Sequence, residues 1–132
     1  MMTFHHIGIA CEDIRSTAEH YERMGYKMAG GVETVDNQQN IRIAFLQHPS
    51  MPTIELLAAI DDKSPVVDIL RKNGTTPYHI CYSVVNLEET IKELRKLRYI
   101  VVSKPKTAEA ITGSRVAFMY HKDVGLIELV GK

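Results

Sequence analysis

The text RIAFLQHPSMPTIELL at residues 42–57 returns as RVAFMYHKDVGLIELV at 115–130, displaced by 73 residues and without a gap. Seven of the sixteen positions are identical, where average residue usage predicts about one. The same displacement carried upstream lays His6-Ile7 on His79-Ile80, Ile14 on Leu87, Thr17 on Thr90, Met24 on Leu97 and Tyr26 on Tyr99. A chain that repeats itself at this period builds one supersecondary unit twice. Each unit has a His near the start of its first strand and a Glu in its last, so His6, Glu55, His79 and Glu128 occupy equivalent positions.

Periodicity within the repeat gives the unit its shape. TFHHIGIA at 3–10 alternates, with Ile7 and Ile9 on one face and His6, Gly8 and Ala10 on the other, leaving His5 on the face away from His6. Asp13 is placed to cap a helix in which Ile14, Ala18, Tyr21 and Met24 recur at helical spacing until Gly25. Tyr26 to Val35 reads as a strand broken at Gly30-Gly31, DNQQN at 36–40 as a turn, and 41–47 and 53–59 as a hairpin turning through Pro49 and Pro52. The unit is βαβββ.

The second copy repeats that order. Its first strand is 77–85, with His79, Cys81 and Ser83 on one face. A helix capped by Asn86 follows, with Leu87, Ile91, Leu94 and Leu97 as its stripe, and then strands at 99–104, 114–121 and 125–130. Between the copies, Ser64 as cap, Pro65 at the first helical position and Asn73-Gly74 at the end specify a short helix. The expected organisation is one domain over 1–132: module one at 3–58, linker helix at 59–76 and module two at 77–131. The class is α+β, a cup-shaped mixed sheet with helices on its convex side.

Sixteen basic residues balance sixteen acidic ones. Such a chain has no field to gather nucleic acid or an anionic membrane surface. No apolar run approaches the ~20 residues of a membrane span, and Cys11 and Cys81 have neither repeat equivalence nor CxxC spacing. A cytoplasmic protein with reduced thiols is expected. No P-loop, GxGxxG or serine elbow appears, so nucleophilic and nucleotide chemistry find no support.

The quartet carries the chemistry. Glu55 lies between Ile54 and Leu56, and Glu128 between Ile127 and Leu129. A carboxylate buried in such a strand costs several kcal/mol unless it is paired or bound to metal. One such Glu could pair with a Lys or Arg, but two at equivalent positions, each with an equivalent His, make an N2O2 set for a borderline divalent ion with positions left for substrate. His48 and His121 also repeat, but at hairpin entrances, where structural or solvent roles are expected. His5 and His20 are given no chemical role, and Cys81 reads as a small core thiol at the edge of a pocket.

These residues resemble the vicinal oxygen chelate superfamily over essentially the whole chain. HHIGIA at 5–10, IELL at 54–57, SPVVDIL at 64–70, YHIC at 78–81, GSRVAF at 113–118 and LIELV at 126–130 are most similar to methylmalonyl-CoA epimerases, with glyoxalase I the next relative. The resemblance implies ligands at His6, Glu55, His79 and Glu128 for one divalent ion, Zn, Co, Ni or Mn. It implies a carbonyl or thioester substrate and Glu128 as ligand and proton carrier combined. The chain departs from those epimerases at three places. An acid/base Glu before the third strand of module one is replaced by Gln38, which is left a substrate-binding role. The hairpin HPKDxGG is shortened to HKDVG, and the HH of module two is Tyr78-His79.

The function expected is therefore a metal-dependent isomerase or epimerase that removes a proton next to a carbonyl. A glyoxalase I-like lactoylglutathione lyase is the alternative within catalysis, since it runs with one base. A non-catalytic binding or resistance protein is the alternative outside it. A dioxygenase would use two His and one carboxylate, and Glu55 as a fourth ligand argues against that. Exposed edge strands predict a homodimer or a closed pair of modules, with the metal site either within one chain or shared between two.

Overall fold

The computed structural model describes residues 2–108, 110, 111 and 113–132. The first half runs β1 (Met2–Ala10), α1 (Ile14–Arg23), β2 (Lys27–Met28), β3 (Thr34–Asp36), β4 (Ile41–Gln47) and β5 (Ile54–Ala59). The connecting helix is α2 (Val67–Asn73), and the second half runs β6 (Thr76–Val84), α3 (Leu87–Lys96), β7 (Ile100–Thr107), β8 (Arg115–His121) and β9 (Gly125–Gly131). The nine strands among the described residues form one open mixed sheet in the order β2-β4-β5-β1-β6-β9-β8-β7, with β3 also on β4. β1 runs parallel to β5 and β6 parallel to β9, while β1 and β6 meet antiparallel at the centre. Read outward from that seam the order is the same on both sides, which makes the duplication a pseudo-twofold.

The two repeat helices cover the convex face. α1 starts where the Asp13 carboxylate accepts from the Ser16 backbone N–H, and α3 where Asn86 accepts from Glu89 at 2.9 Å. Ile14 and Ala18 of α1 pack on Ile9, Ala44, Leu46, Ile54 and Leu56; Leu87 and Leu94 of α3 pack on Ala117, Met119, Ile127 and Leu129. Eight of those nine sheet residues form four repeat pairs, Ala44/Ala117, Leu46/Met119, Ile54/Ile127 and Leu56/Leu129, and each buried Leu, Ile or Met side chain contributes roughly 1.5–3 kcal/mol.

Four local expectations are corrected. The strand Tyr26 to Val35 is two short strands, because a 3-10 turn at Ala29–Gly31 with Gly30 at φ 71° and Gly31 at φ 73° interrupts it. Met24 and Leu97 end their helices as C-caps and are exposed, so the buried stripes stop one turn earlier. Ser64 does not cap α2: its Oγ accepts from the backbone N–H groups of Ile60 and Asp61, closing the turn before the helix. α2 itself lies on the concave face, where Val66 at its N-cap and Leu70 pack on Ala10, Ile41, Ile43 and Leu57. It is the one helix among the described residues that is not on the convex side.

Candidate functional site

Cross-strand register lays the site out in two rows on the concave face. Phe45, Glu55, Gly8 and His79 form one row across β4, β5, β1 and β6. His6, Cys81, Glu128 and Phe118 form the other across β1, β6, β9 and β8. The strand period of two puts all members of a row on one face. Glu55 and His79 therefore flank Gly8, and His6 and Glu128 flank Cys81.

One chain brings the four predicted residues together. Their ligand atoms all lie within 4.8 Å of one another, and all four residues are buried. His6 Nε2 stands 3.0 Å from Glu55 Oε1 and 3.1 Å from Glu128 Oε1; His79 Nε2 stands 3.5 and 3.2 Å from the same atoms and 3.3 Å from His6 Nε2. Yet among the described residues Oε1 of Glu55 and of Glu128 has no aligned hydrogen-bond partner, and neither has Nδ1 of His79. Close approach without hydrogen-bond alignment means that the four atoms aim at a common point. Donors around a divalent ion at ~2.0–2.2 Å stand roughly 3.0–3.5 Å apart, so the donor set and its spacing fit such an ion.

The rings around the quartet repeat as well. Phe45 packs edge-on against His6 at 5.3 Å between centroids, and its repeat partner Phe118 against His79 at 5.2 Å. Phe45 and Phe118 are identical under the 73-residue displacement, and the pair holds the two imidazoles in place. Gly8 shares the concave face with His6. A Cβ there would stand 2.0 to 2.5 Å from three atoms of the His79 ring, so the imidazole occupies the space a side chain would take.

His5 does not lie on the face that strict alternation predicts. In the β1/β6 pairing Phe4 faces Tyr82 and His6 faces Cys81, which leaves His5 as an extra residue in β1; Gly8 faces His79 and Ile9 faces Pro77, which leaves Tyr78 as the extra residue in β6. Each is a β-bulge that breaks the alternation and re-aims a side chain, and the two are equivalent under the repeat. His5 Nδ1 thereby comes to 2.7 Å from His6 Nδ1, and Tyr78 packs on His79 at 4.6 Å between centroids.

A cavity of about 440 Å³ adjoins the quartet, walled by Tyr78 and Phe118, by Ile41 and Leu57 and by Gln39, with Lys72 and Lys106 among its outer residues. Gln38 is exposed and outside this lining; its neighbour Gln39 lines the cavity, held by hydrogen bonds from its N–H and its amide to the buried Asp36. His48 and His121 cap their hairpins, accepting at Nδ1 from the backbone N–H of Ser50 and of Asp123, and stack near Tyr26 and Tyr99. Their repetition is structural. Cys81 is fully buried among Ala108, Val116 and Val130, and burial raises its thiol far above the ordinary range, so it is inert.

Without a metal the quartet holds protons instead. Burial alone would lower His6, but the carboxylates of Glu128 and Glu55 reverse this and raise it to about 9, and His79 is raised in the same way. Burial would raise Glu128, but His6 and His79 lower it to about 2. For the metal-free fold, the His6 contribution to stability is complete below pH 6.5 and fades as pH passes about 9. The Glu128 contribution is present above pH 4.5 and fades as pH falls toward about 2.

A divalent ion entering at pH 7 must displace the His6 proton. We therefore expect net proton release on binding, and an apparent affinity that rises with pH up to about 9 by as much as about tenfold per unit per proton. Calorimetry in two buffers of different ionisation enthalpy measures the release directly. Binding without proton release at pH 7 would contradict this account of the site. Tyr78 is the complementary group: burial, with the charges of Glu55 and Glu128, holds its phenol well above the ordinary value, so it lines the cavity as a neutral donor.

No curated protein matches the chain significantly. Among solved structures, methylmalonyl-CoA epimerase from Mycobacterium tuberculosis superposes with a TM-score of 0.84 at 29% identity, covering 97% of this chain and 86% of that one. A Streptomyces coelicolor methylmalonyl-CoA epimerase variant in complex with 2-nitronate-propionyl-CoA gives 0.83 at 28% identity, covering 100% and 99%. A methylmalonyl-CoA epimerase in complex with methylmalonyl-CoA and NH4+ gives 0.83 at 28%, covering 100% and 95%. The family profile described as glyoxalase/bleomycin resistance protein/dioxygenase superfamily matches residues 5–118, most of the chain and all of the quartet but Glu128, and the chain belongs to that superfamily.

Proposed function

We propose that this protein is a metal-dependent isomerase or epimerase that moves a proton next to the carbonyl of an acyl-CoA thioester. The observation that carries the reading is the convergence of four buried ligand atoms, with two orphaned carboxylate oxygens, beside an apolar cavity. His6, Glu55, His79 and Glu128 would hold one divalent ion, Zn, Co, Ni or Mn. Such an ion, when bound, polarises a carbonyl and lowers the acidity barrier at the adjacent carbon. Glu128 takes up and returns the proton, Tyr78 offers its phenolic O–H to the substrate from the cavity wall, and Ile41, Leu57 and Phe118 exclude water. Lys72 and Lys106 suit an anionic substrate, and the similar solved structures hold CoA thioesters.

Epimerisation needs a second carrier on the opposite face of the planar intermediate. Gln38 is exposed and Gln39, which does line the cavity, is an amide; an amide cannot take up a proton. That favours, as the second reading, a one-base isomerisation of the glyoxalase I type. Methylmalonyl-CoA in deuterated water separates the two. Racemisation with solvent deuterium at the α-carbon supports the epimerase, while exchange with retention supports the one-base reaction. No exchange with methylmalonyl-CoA or with any other carbonyl substrate, by protein that holds one equivalent of metal, would sink both and leave a binding or resistance protein.

The assembly proposed is a homodimer in the cytoplasm. Phe4, Ile80 and, at 90% exposed, Val85 leave apolar surface on the central strands and beyond, and no helix among the described residues is long and apolar enough to cross a membrane. Light scattering on the metal-loaded protein is expected to give twice the mass of the 14.9 kDa chain. A monomer at micromolar concentration would remove the dimer from the reading.

A further inference from the structure

His6 meets its neighbours through both ring nitrogens. Nε2 faces Glu55, Glu128 and His79, while Nδ1 lies 2.7 Å from Nδ1 of His5. Two imidazole nitrogens at that distance cannot both carry hydrogen; one donates and the other accepts. A His that ligates through Nε2 carries its hydrogen on Nδ1 and is oriented by whatever accepts from it there. If Nε2 is protonated as well, Nδ1 still carries a hydrogen, so the same acceptor serves both states.

The acceptor is present because of the bulge. Strict alternation would turn His5 to the convex face, whereas the extra residue in β1 brings its ring beside His6, 5.0 Å between centroids and 76° from coplanar, and within 6.4 Å of Phe45. The second module does not reproduce the arrangement. Its bulge delivers Tyr78 in place of His5, and His79 Nδ1 is buried with no hydrogen-bond partner among the described residues. The duplicated site is thus asymmetric one layer out from the quartet.

We infer that His5 is a positioning residue of the site: its Nδ1 accepts the hydrogen bond donated by His6 Nδ1–H, and this fixes the ring angle and the tautomer that offers Nε2 to a metal. The inference rests on the metal reading above for its purpose, but the hydrogen bond itself exists with or without an ion. His5 carries its own hydrogen on Nε2.

The experiment compares wild type, His5→Phe and His5→Asn. Phe keeps a planar ring and removes the acceptor, whereas Asn places an amide oxygen near the position of Nδ1. All three are first shown to be folded by circular dichroism. Co²⁺ titration followed by visible absorption is expected to show a loss of about 10–100-fold in affinity for His5→Phe, with a shifted ligand-field spectrum, and recovery to within a few-fold of wild type for His5→Asn. Equal affinity for wild type and His5→Phe would overturn the inference, and so would His5→Asn as weak as His5→Phe. Nitrogen-15 NMR of the metal-free protein supplies the independent arm. A hydrogen-bonded His6 Nδ1–H signal is expected in wild type and His5→Asn and not in His5→Phe. Its absence from wild type overturns the inference whatever the metal data say. Its presence in wild type that takes up no Co²⁺ upholds the hydrogen bond and overturns the metal reading instead.

Discussion

Gly8→Ala is expected to strip the quartet of most of its metal while leaving the fold intact. The added methyl carbon would lie 2.0 Å from Cε1, 2.3 Å from Nε2 and 2.5 Å from Nδ1 of His79, so the imidazole must leave its position. It cannot swing far, since Phe118 packs one edge at 5.2 Å and Tyr78 another at 4.6 Å between centroids. Displaced by even an ångström, His79 Nε2 no longer shares a centre with the other three donors. The loss should exceed the ~10–100-fold that attends a disturbed outer shell, because a ligand itself is removed. The cost to the fold is that of an overpacked methyl, about 1–3 kcal/mol. Metal analysis after gel filtration, with a thermal melt of the same sample, checks both halves. A full equivalent of metal in the alanine variant would show that His79 is not a ligand.

The second large effect concerns Glu128. In Glu128→Gln the side-chain carbonyl can still coordinate, but nothing remains to accept a proton. We expect metal content to fall modestly and exchange of the α-hydrogen of methylmalonyl-CoA to fall by roughly 10²–10⁴-fold, the usual worth of a positioned acid/base group. Glu55→Gln is the paired measurement. Glu55 occupies the equivalent place under the pseudo-twofold and touches the same two imidazole nitrogens, so a symmetric pair would respond alike. Loss of exchange in Glu55→Gln with exchange retained in Glu128→Gln would reverse the assignment of the proton carrier. Metal content measured on both separates failed loading from failed chemistry.

The convergence of His6, Glu55, His79 and Glu128 was legible because a strand has a period of two and a duplication preserves it. Once the 73-residue displacement was found, His6 and Glu55 predicted His79 and Glu128, and cross-strand register did the rest. The features that were not legible are those that break a period. His5 and Tyr78 sit in bulges, where one inserted residue reverses the face of a side chain, and nothing in HHIGIA or YHIC marks the insertion. Gly8 looked like mere small-residue packing, because the partner that fills its space lies 71 residues away in the sequence. The face taken by α2 depends on the concave sheet needing cover for Ile41, Ile43 and Leu57, a tertiary demand with no counterpart in the repeat. Gln38 and Gln39 differ only in which side of a turn they occupy, and local sequence does not decide that.

The antiparallel seam between β1 and β6 has a consequence for how the molecule holds together. Each half supplies one His and one Glu, so an ion held by the quartet would span the seam, and its binding free energy would count as association free energy between the two halves. Chelation should then be felt as a loosening of β1 against β6, with faster amide exchange along Phe4 to Gly8 and His79 to Tyr82 than in the helices. The converse also holds. In a protein that holds the ion proposed, any substitution that parts the seam, however far from the quartet, would register as metal released, and metal content would become a gauge of whether the two halves of the chain are docked.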